Sequence, residues 1–553
     1  MALARFVLDD IRAGKAVMDA VRRHPLPNGY VGKNVLVAAY NEMVASGELK
    51  PDAELLAGIR MKPVRTLSGV TTVTVLTKPY PCPGKCIFCP DDARMPKSYL
   101  PDEPGAMRGL HHEFDPYDQV ASRLEALQAV GHPTDKIELL ILGGTWSAYK
   151  RDYQEWFVTR CFDALNESLT PNPSTLSGTR PWEGEGSLVE AQRINETATH
   201  RNVGLVVETR PDEITRDELA WFRYLGVTKV QMGAQNLDDE ILALNKRGHT
   251  VDDLQRAMSL LRAGGFKIVL HWMPNLLGAT LASDRDDFLR LWDGIAPDEI
   301  KIYPTQLLAN TELHEHWKRG EYTPYTTEEL ISLIADVKPS VPRYCRVNRI
   351  IRDIPSPNVV EGNKRTSLRQ DVHKEMAVRG TKCECVRCRE VRGKAIEIEK
   401  LKLDDFVYSA SPHPPPSASG GGNKFSPLRG ELEGGGGSEE HFISFVTPDD
   451  KLAGFLRLSL PNADAPQIGM ADLDGAAIIR EVHVYGQSLE VGAEKHGSAQ
   501  HAGLGTRLLE EAEQAALTRG FGRIAVISAV GTRKYYLDRG FSRGELYLVK
   551  EIK

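Results

Sequence analysis

VTTVTVLTKPYPCPGKCIFCP, residues 70–90, decides the fold. Its first ten residues are rich in Val and Thr and stop at a proline, the pattern of a strand that runs into a loop. Cys82, Cys86 and Cys89 then fall within eight positions. A tetrahedral zinc site takes four protein ligands, or three and a water, and a [4Fe–4S] cluster ordinarily takes four cysteines. Three thiols with no partner in reach suit a cluster with one iron left open. A zinc knuckle is the alternative, with Cys161 a distant candidate for a fourth ligand.

Five further apolar, β-rich runs follow: KIELLILGG (136–144), GLVVETRP (204–211), KVQMGAQ (229–235), KIVLHWMP (267–274) and EIKIYPTQ (299–306). Helical patterns such as DELAWFRYLG and VDDLQRAMSLLRAGG separate most of them. Strand–helix alternation predicts parallel βα units, and six of them suit a partial or full α/β barrel spanning 67–337. Barrel chemistry sits at the C-terminal strand ends, where the cysteine loop lies. Gly143, Gly144 and Thr145 close the second strand, and glycine is needed where backbone approaches a ligand. Glu208 and Gln235 close the third and fourth, as ligand contacts or as solvated strand ends.

The chain is too long for one core. Residues 1–66 read as helical. Asp9 and Asp10 interrupt any secretory leader, and no apolar run is long enough to span a membrane, so a cytoplasmic protein with no membrane partner is expected. Net charge is −6, yet residues 338–402 hold 17 Lys/Arg against 8 Asp/Glu. This basic island is a candidate polyanion surface. Within 338–410 lies TKCECVRCREV, where Cys383, Cys385 and Cys388 have metal-ligand spacing, with zinc expected and His373 or a water as a fourth ligand. Cys161 and Cys345 are expected as packed thiols. Residues 171–190 read as a polar insertion, and 411–438 as a flexible Gly/Pro/Ser-rich insertion between domains.

From 439 to 553 the pattern is that of a compact α+β domain. Strands are expected at 441–448, 452–460, 476–486 and 523–530. Between the last two, QHAGLG (500–505) opens an amphipathic helix, and Tyr535–Tyr536 lie in a short later helix.

The cysteine spacing after a first barrel strand resembles that of the radical S-adenosylmethionine (SAM) enzymes. QHAGLG after the strand REVHVYG resembles the coenzyme A turn of GNAT acetyltransferases, where N–H groups at a helix N-terminus cradle a pyrophosphate. Together with YLPDEPGAMRG (99–109), VETRPD (207–212), NKRGHTV (245–251), HWMPNLLG (271–278), RVNRIIRDIP (346–355) and ISAVGTRKYY (527–536), they resemble the Elongator catalytic subunits in their stand-alone archaeal or bacterial form.

The resemblance implies a radical SAM partial (β/α) barrel joined to a GNAT domain, and an enzyme that converts the tRNA wobble uridine to 5-carboxymethyluridine. Cys82, Cys86 and Cys89 would hold the cluster. Gly143, Gly144, Thr145, Glu208 and Gln235 would contact S-adenosylmethionine. Acetyl-CoA would meet Lys136, Glu481, Val482, His483, Val484, Ala499, Gln500, His501, Gly503 and Gly505. Tyr536, or Tyr535, would stand at the thioester sulfur. A hydrogen would leave the acetyl methyl, the carbon would add to C5 of uridine, and thioester hydrolysis would release the product. Residues 1–66 and the cations Arg343, Arg346, Arg349, Arg352, Lys364, Arg365 and Arg369 would bind the tRNA anticodon stem-loop. A homodimer stays open, and no accessory subunit is implied. A lysine acetyltransferase with a structural iron–sulfur domain is the competing reading.

Overall fold

The computed structural model describes residues 2–27, 29–62, 66–167, 187–392, 396–410, 437–486 and 503–553. Seven strands, β1 (Thr71–Leu76), β2 (Lys136–Leu142), β3 (Arg201–Thr209), β4 (Lys229–Gln235), β5 (Lys267–Trp272), β6 (Glu299–Ile302) and β7 (Arg346–Ile350), lie side by side in chain order. Every neighbouring pair is parallel. β1 and β7 are the two edges, so the barrel is open. Amphipathic helices between the strands cover one face, as parallel sheets require. Helix Val251–Ala263, for example, is fixed at its start by a reciprocal Thr250–Asp253 capping box and buries Leu254, Ala257, Met258 and Leu261. Cys161 and Cys345 are fully buried in the core.

Six strands were expected, and the seventh, RVNRI, comes from the basic island. Its Val347 and Ile350 are buried while Arg346, Asn348 and Arg349 are half-exposed. Such a strand reads in sequence as a charged run.

A second sheet contains β8 (Lys402–Ala410), β9 (Ser438–Val446), β10 (Leu452–Pro461), β11 (Ala477–Val484), β12 (Arg523–Val526), β13 (Ser542–Arg543) and β14 (Leu548–Glu551). Its order is β8-β9-β10-β11-β12-β14-β13, antiparallel except between β11 and β12. β8 lies ahead of the expected boundary at 439. It pairs with β9 so that Ala410 stands opposite Ser438. Residues 411–436, outside the described residues, therefore join two neighbouring strands of one sheet and do not link the two halves. Residues 171–186 also lie outside the described residues.

The N-terminal helices Ala2–Arg12, Val17–Arg23, Lys33–Ala45 and Ala53–Ile59 share a small core of their own around Leu8, Leu36, Tyr40 and Ile59. No helix among the described residues is long and apolar enough to cross a membrane.

The two sheets share one continuous hydrophobic core. A chain of ion pairs also crosses between them. Lys229 bridges Glu138 and Glu299, and Lys267 bridges Glu299 and Glu481 of β11. Glu481 holds Arg457 at 2.9 Å, and Asp298 and Glu440 hold Arg480. Asp298 and Arg480 are fully buried, and the arginines keep the Asp298 carboxyl down at about 2 despite the burial. Removing one member of such a chain leaves a buried charge without compensation, which is far costlier than replacing the pair.

Candidate active site

β1 delivers the cysteine loop to the C-terminal face of the barrel. Cys86 is buried, and Cys82 and Cys89 are half-buried. The Cys89 thiol donates to Cys86, and Arg247 Nη1 approaches the Cys86 sulfur at 3.6 Å. The shared proton and then the guanidinium pull the Cys86 thiol well below the usual range, and Cys89 rises correspondingly. A cation beside a thiol favours its ionised form, the form that ligates metal. Cys82 contacts the Thr145 hydroxyl at 3.5 Å, so the glycine turn after β2 lies against the cysteine loop. Gly143 has φ +149°, and a Cβ there would stand 1.7 Å from Thr77 Oγ1. Only glycine fits.

Glu208, near the end of β3, accepts from the Tyr99 hydroxyl at 3.2 Å and lies 3.8 Å from His271 Nδ1. Gln235 ends β4 at φ +67°. Its buried Oε1 has no hydrogen-bond partner among the described residues.

The second sheet supplies the opposite wall. β11 pairs with β12 only over Ala477–Ile479, and a register shift interrupts its pairing with β10 between Arg457 and Leu458. Past that point no strand among the described residues pairs with the β11 edge towards β12, and Glu481 to Val484 line the opening. Such a bulge re-aims a strand beside a site. Helix Leu504–Thr518 starts there, with Gly503 at φ +70°. Tyr535 and Tyr536 pack edge to face at 5.2 Å, and a Cβ on Gly505 would meet the Tyr535 hydroxyl at 2.5 Å. Ala499, Gln500 and His501 lie outside the described residues.

One cavity of about 1550 Å³ connects these walls. Cys89, Glu208 and Gln235 line it on the barrel side, Val482, His483, Tyr535 and Tyr536 on the other, and Lys136 borders it as well. Burial lowers the pKa of Lys136.

The seven expected tRNA cations do not form one surface. Arg346, Arg349, Arg352 and Arg369 line the cavity. Arg346 pairs with Glu390, Arg349 with Asp353, and Arg352 with Glu103 at 2.9 Å. Arg343 is held by Asp450 at 2.7 Å, and Lys364 and Arg365 are exposed. Two arginines that sequence reading gave no role, Arg210 and Arg247, sit at the cysteine loop. Arg210 Nη2 donates to the Arg247 carbonyl at 2.9 Å. Both stood inside quoted motifs, VETRPD and NKRGHTV, but nothing in the sequence says that they converge.

The sulfurs of Cys383, Cys385 and Cys388 lie within 4.8 Å of one another. Among the described residues no fourth histidine, cysteine or carboxylate joins that group, so His373 stands outside it. The Lys338 ammonium donates to the Cys388 sulfur at 3.4 Å.

The Radical SAM superfamily pattern matches residues 80–291, and that of the Radical_SAM C-terminal domain matches 297–378. A tRNA uridine(34) acetyltransferase of Dehalococcoides mccartyi is 40% identical over 496 residues, covering 88% of this chain and 99% of that protein. The chain belongs to the tRNA uridine(34) acetyltransferase family. Elongator complex protein 3 of Bos taurus is 33% identical over 514 residues, covering 90% of this chain and 87% of that protein. A solved structure of the archaeal Methanocaldococcus infernus Elp3 with its N-terminus deleted superposes with TM-score 0.71 at 37% identity, covering 88% of this chain and all of that one.

As a radical SAM member of the acetyltransferase family, the chain is expected to carry a [4Fe–4S] cluster and S-adenosylmethionine, and its residues fit them. Arg210 Nη1 and Arg247 Nε are buried donors with no partner among the described residues. Both arginines face the thiols. Buried donors in that position suit an anionic group held by thiolates.

Proposed function

We propose that the protein modifies the wobble uridine of tRNA, transferring the acetyl unit of acetyl-CoA to carbon 5 to give 5-carboxymethyluridine. The observation that carries this reading is one cavity with the cysteine loop at one end and strand residues Glu481 to Val484 and the paired tyrosines at the other. A lysine acetyltransferase would leave the cysteine end without a task.

Cys82, Cys86 and Cys89 would hold the cluster, which when bound supplies the electron that cleaves S-adenosylmethionine to a hydrogen-abstracting radical. Arg210 and Arg247 offset the negative charge of the thiolates. Gly143, Gly144 and Thr145 bring backbone close enough to bind the methionyl amine, and Glu208 and Gln235 offer acceptors to the ribose and its neighbours. The backbone of Glu481 to Val484 would take the pantetheine amides, while the Glu481 side chain stays tied to Lys267 and Arg457. Gly503 and Gly505, at the helix N-terminus, would face the pyrophosphate, with Ala499, Gln500 and His501 as its expected further contacts. Tyr536 stays protonated, since burial raises its pKa, and so can donate to the thioester sulfur. Tyr535 is the alternative donor. Lys136 adds a cation at the rim. Cys383, Cys385 and Cys388 would hold zinc, with a non-protein fourth ligand. Lys364, Arg365 and the N-terminal helices would meet tRNA phosphates outside the cavity, and Arg346, Arg349, Arg352 and Arg369 would meet the nucleotide that enters it. Arg343 is already saturated by carboxylates and would act by shaping that surface.

Nucleoside mass spectrometry tests the proposal. Anaerobically reconstituted protein is given reductant, S-adenosylmethionine, acetyl-CoA and an unmodified tRNA with a wobble uridine. A 5-carboxymethyluridine peak that disappears when either S-adenosylmethionine or acetyl-CoA is omitted is expected. No peak from protein with a spectroscopically intact cluster and intact tRNA binding overturns it.

A further inference from the structure

The barrel wall between the two ends of the cavity carries a small polar group that the proposed chemistry has not used. Lys301 Nζ of β6 donates to Gln231 Oε1 of β4. An ammonium cannot accept, so this contact fixes which end of the Gln231 amide is oxygen. His271 Nε2 lies 3.2 Å from the same oxygen and must therefore donate to it. The Gln231 amide nitrogen then points elsewhere, and it makes no hydrogen bond to any described residue. Gln231 is only 4% exposed and lines the cavity, as do His271 and Lys301. The nitrogen keeps some accessible surface, so its two unused donors open onto the cavity, where a ligand's acceptor can meet them. The ion-pair ladder below it, from Glu138 through Lys229 to Glu299, satisfies itself and needs no ligand.

We propose that the Gln231 amide nitrogen donates to the exocyclic O4 of the target uracil, making Gln231 the residue that selects uridine over cytidine. The inference rests on the reading of the cavity given above. The base must meet both the radical and the acetyl carbon, and Gln231 stands between those two ends. O4 adjoins C5, the carbon that forms the new bond. Cytosine carries an amino group at that position, which would set donor against donor, and the Lys301 ammonium beside it adds further donors of the same kind. A site built to hydrogen-bond one group rejects the analogue that cannot reciprocate.

The test uses the full chain with Gln231→Glu, which keeps an oxygen for Lys301 and His271 and turns the cavity-facing donor into an acceptor. Anticodon stem-loops with uridine or cytidine at the reacting position are compared in binding, in modification and in 5′-deoxyadenosine release. The wild type is expected to bind the uridine stem-loop more tightly. The variant should lose roughly ten- to a hundredfold in uridine modification, the scale of one base-reading contact, and lose the binding preference. It should still cleave S-adenosylmethionine and hold acetyl-CoA with unchanged affinity. A variant that modifies uridine at the wild-type rate overturns the inference. So does a variant that no longer cleaves S-adenosylmethionine, since that outcome puts Gln231 in the nucleoside site of that molecule. A wild-type protein that forms no 5-carboxymethyluridine strikes the functional reading instead, and uridine preference in binding alone then decides the role of Gln231.

Discussion

The two cysteine triads have the same number of thiols and opposite designs. Cys82, Cys86 and Cys89 hang on a loop at the cavity, faced by Arg210 and Arg247, with an oxygen of Thr145 against one sulfur. Cys383, Cys385 and Cys388 are drawn together within 4.8 Å, and the Lys338 ammonium caps them. The first borders the cavity, which Cys89 lines, so a substrate could reach a cluster held there. The second has the same burial, one buried and two half-buried thiols, but lies between β7 and β8, where a bound metal would act as a clasp on the chain. Ligand count does not separate a working metal centre from a structural one. What lies on the open side does.

Three substitutions bear on that contrast. Cys86→Ala should remove all 5-carboxymethyluridine while leaving acetyl-CoA binding, read by isothermal calorimetry, as it was. Arg247→Met should leave the cysteines intact but cost roughly ten- to a hundredfold in cluster occupancy or product formation, the usual effect of a residue that supports a metal ligand, with iron content and electron paramagnetic resonance as the readouts. Cys385→Ala should lose bound metal by plasma emission spectroscopy and lower the melting temperature by roughly 5–10 °C, with only a few-fold change in turnover. If Cys385→Ala instead abolishes chemistry at an unchanged melting temperature, the two triads are not divided as described.

Six strands and the cysteine loop were legible because each strand is an apolar run bounded by glycine or proline. The glycine turn at 143–144 and the residues Glu208 and Gln235 lie at strand ends, as the sequence pattern placed them. β7 was not, because Arg346 and Arg349 face an aqueous cavity and break the apolar run. β8 was not, because KLDDFVYSA carries exposed Asp405 and Ser409 on an edge strand. Arg210 and Arg247 converge on the thiols from separate strand-end loops, and the Asp298–Arg480 contact spans 182 residues. Local patterns carry no signal at such separations. For the same reason the halves read as two domains on a linker, whereas they share one core.

The pairing of Ala410 with Ser438 has a consequence for how the chain tolerates change. Its two ends are pinned one strand spacing apart whatever lies between them. The entropy lost in closing a loop grows only with the logarithm of its length, about 0.6 kcal/mol for each doubling. Relatives of this chain are thus free to lengthen or trim that stretch at little thermodynamic penalty, and an epitope or a fluorophore can be spliced into it at a point remote in sequence from every cysteine.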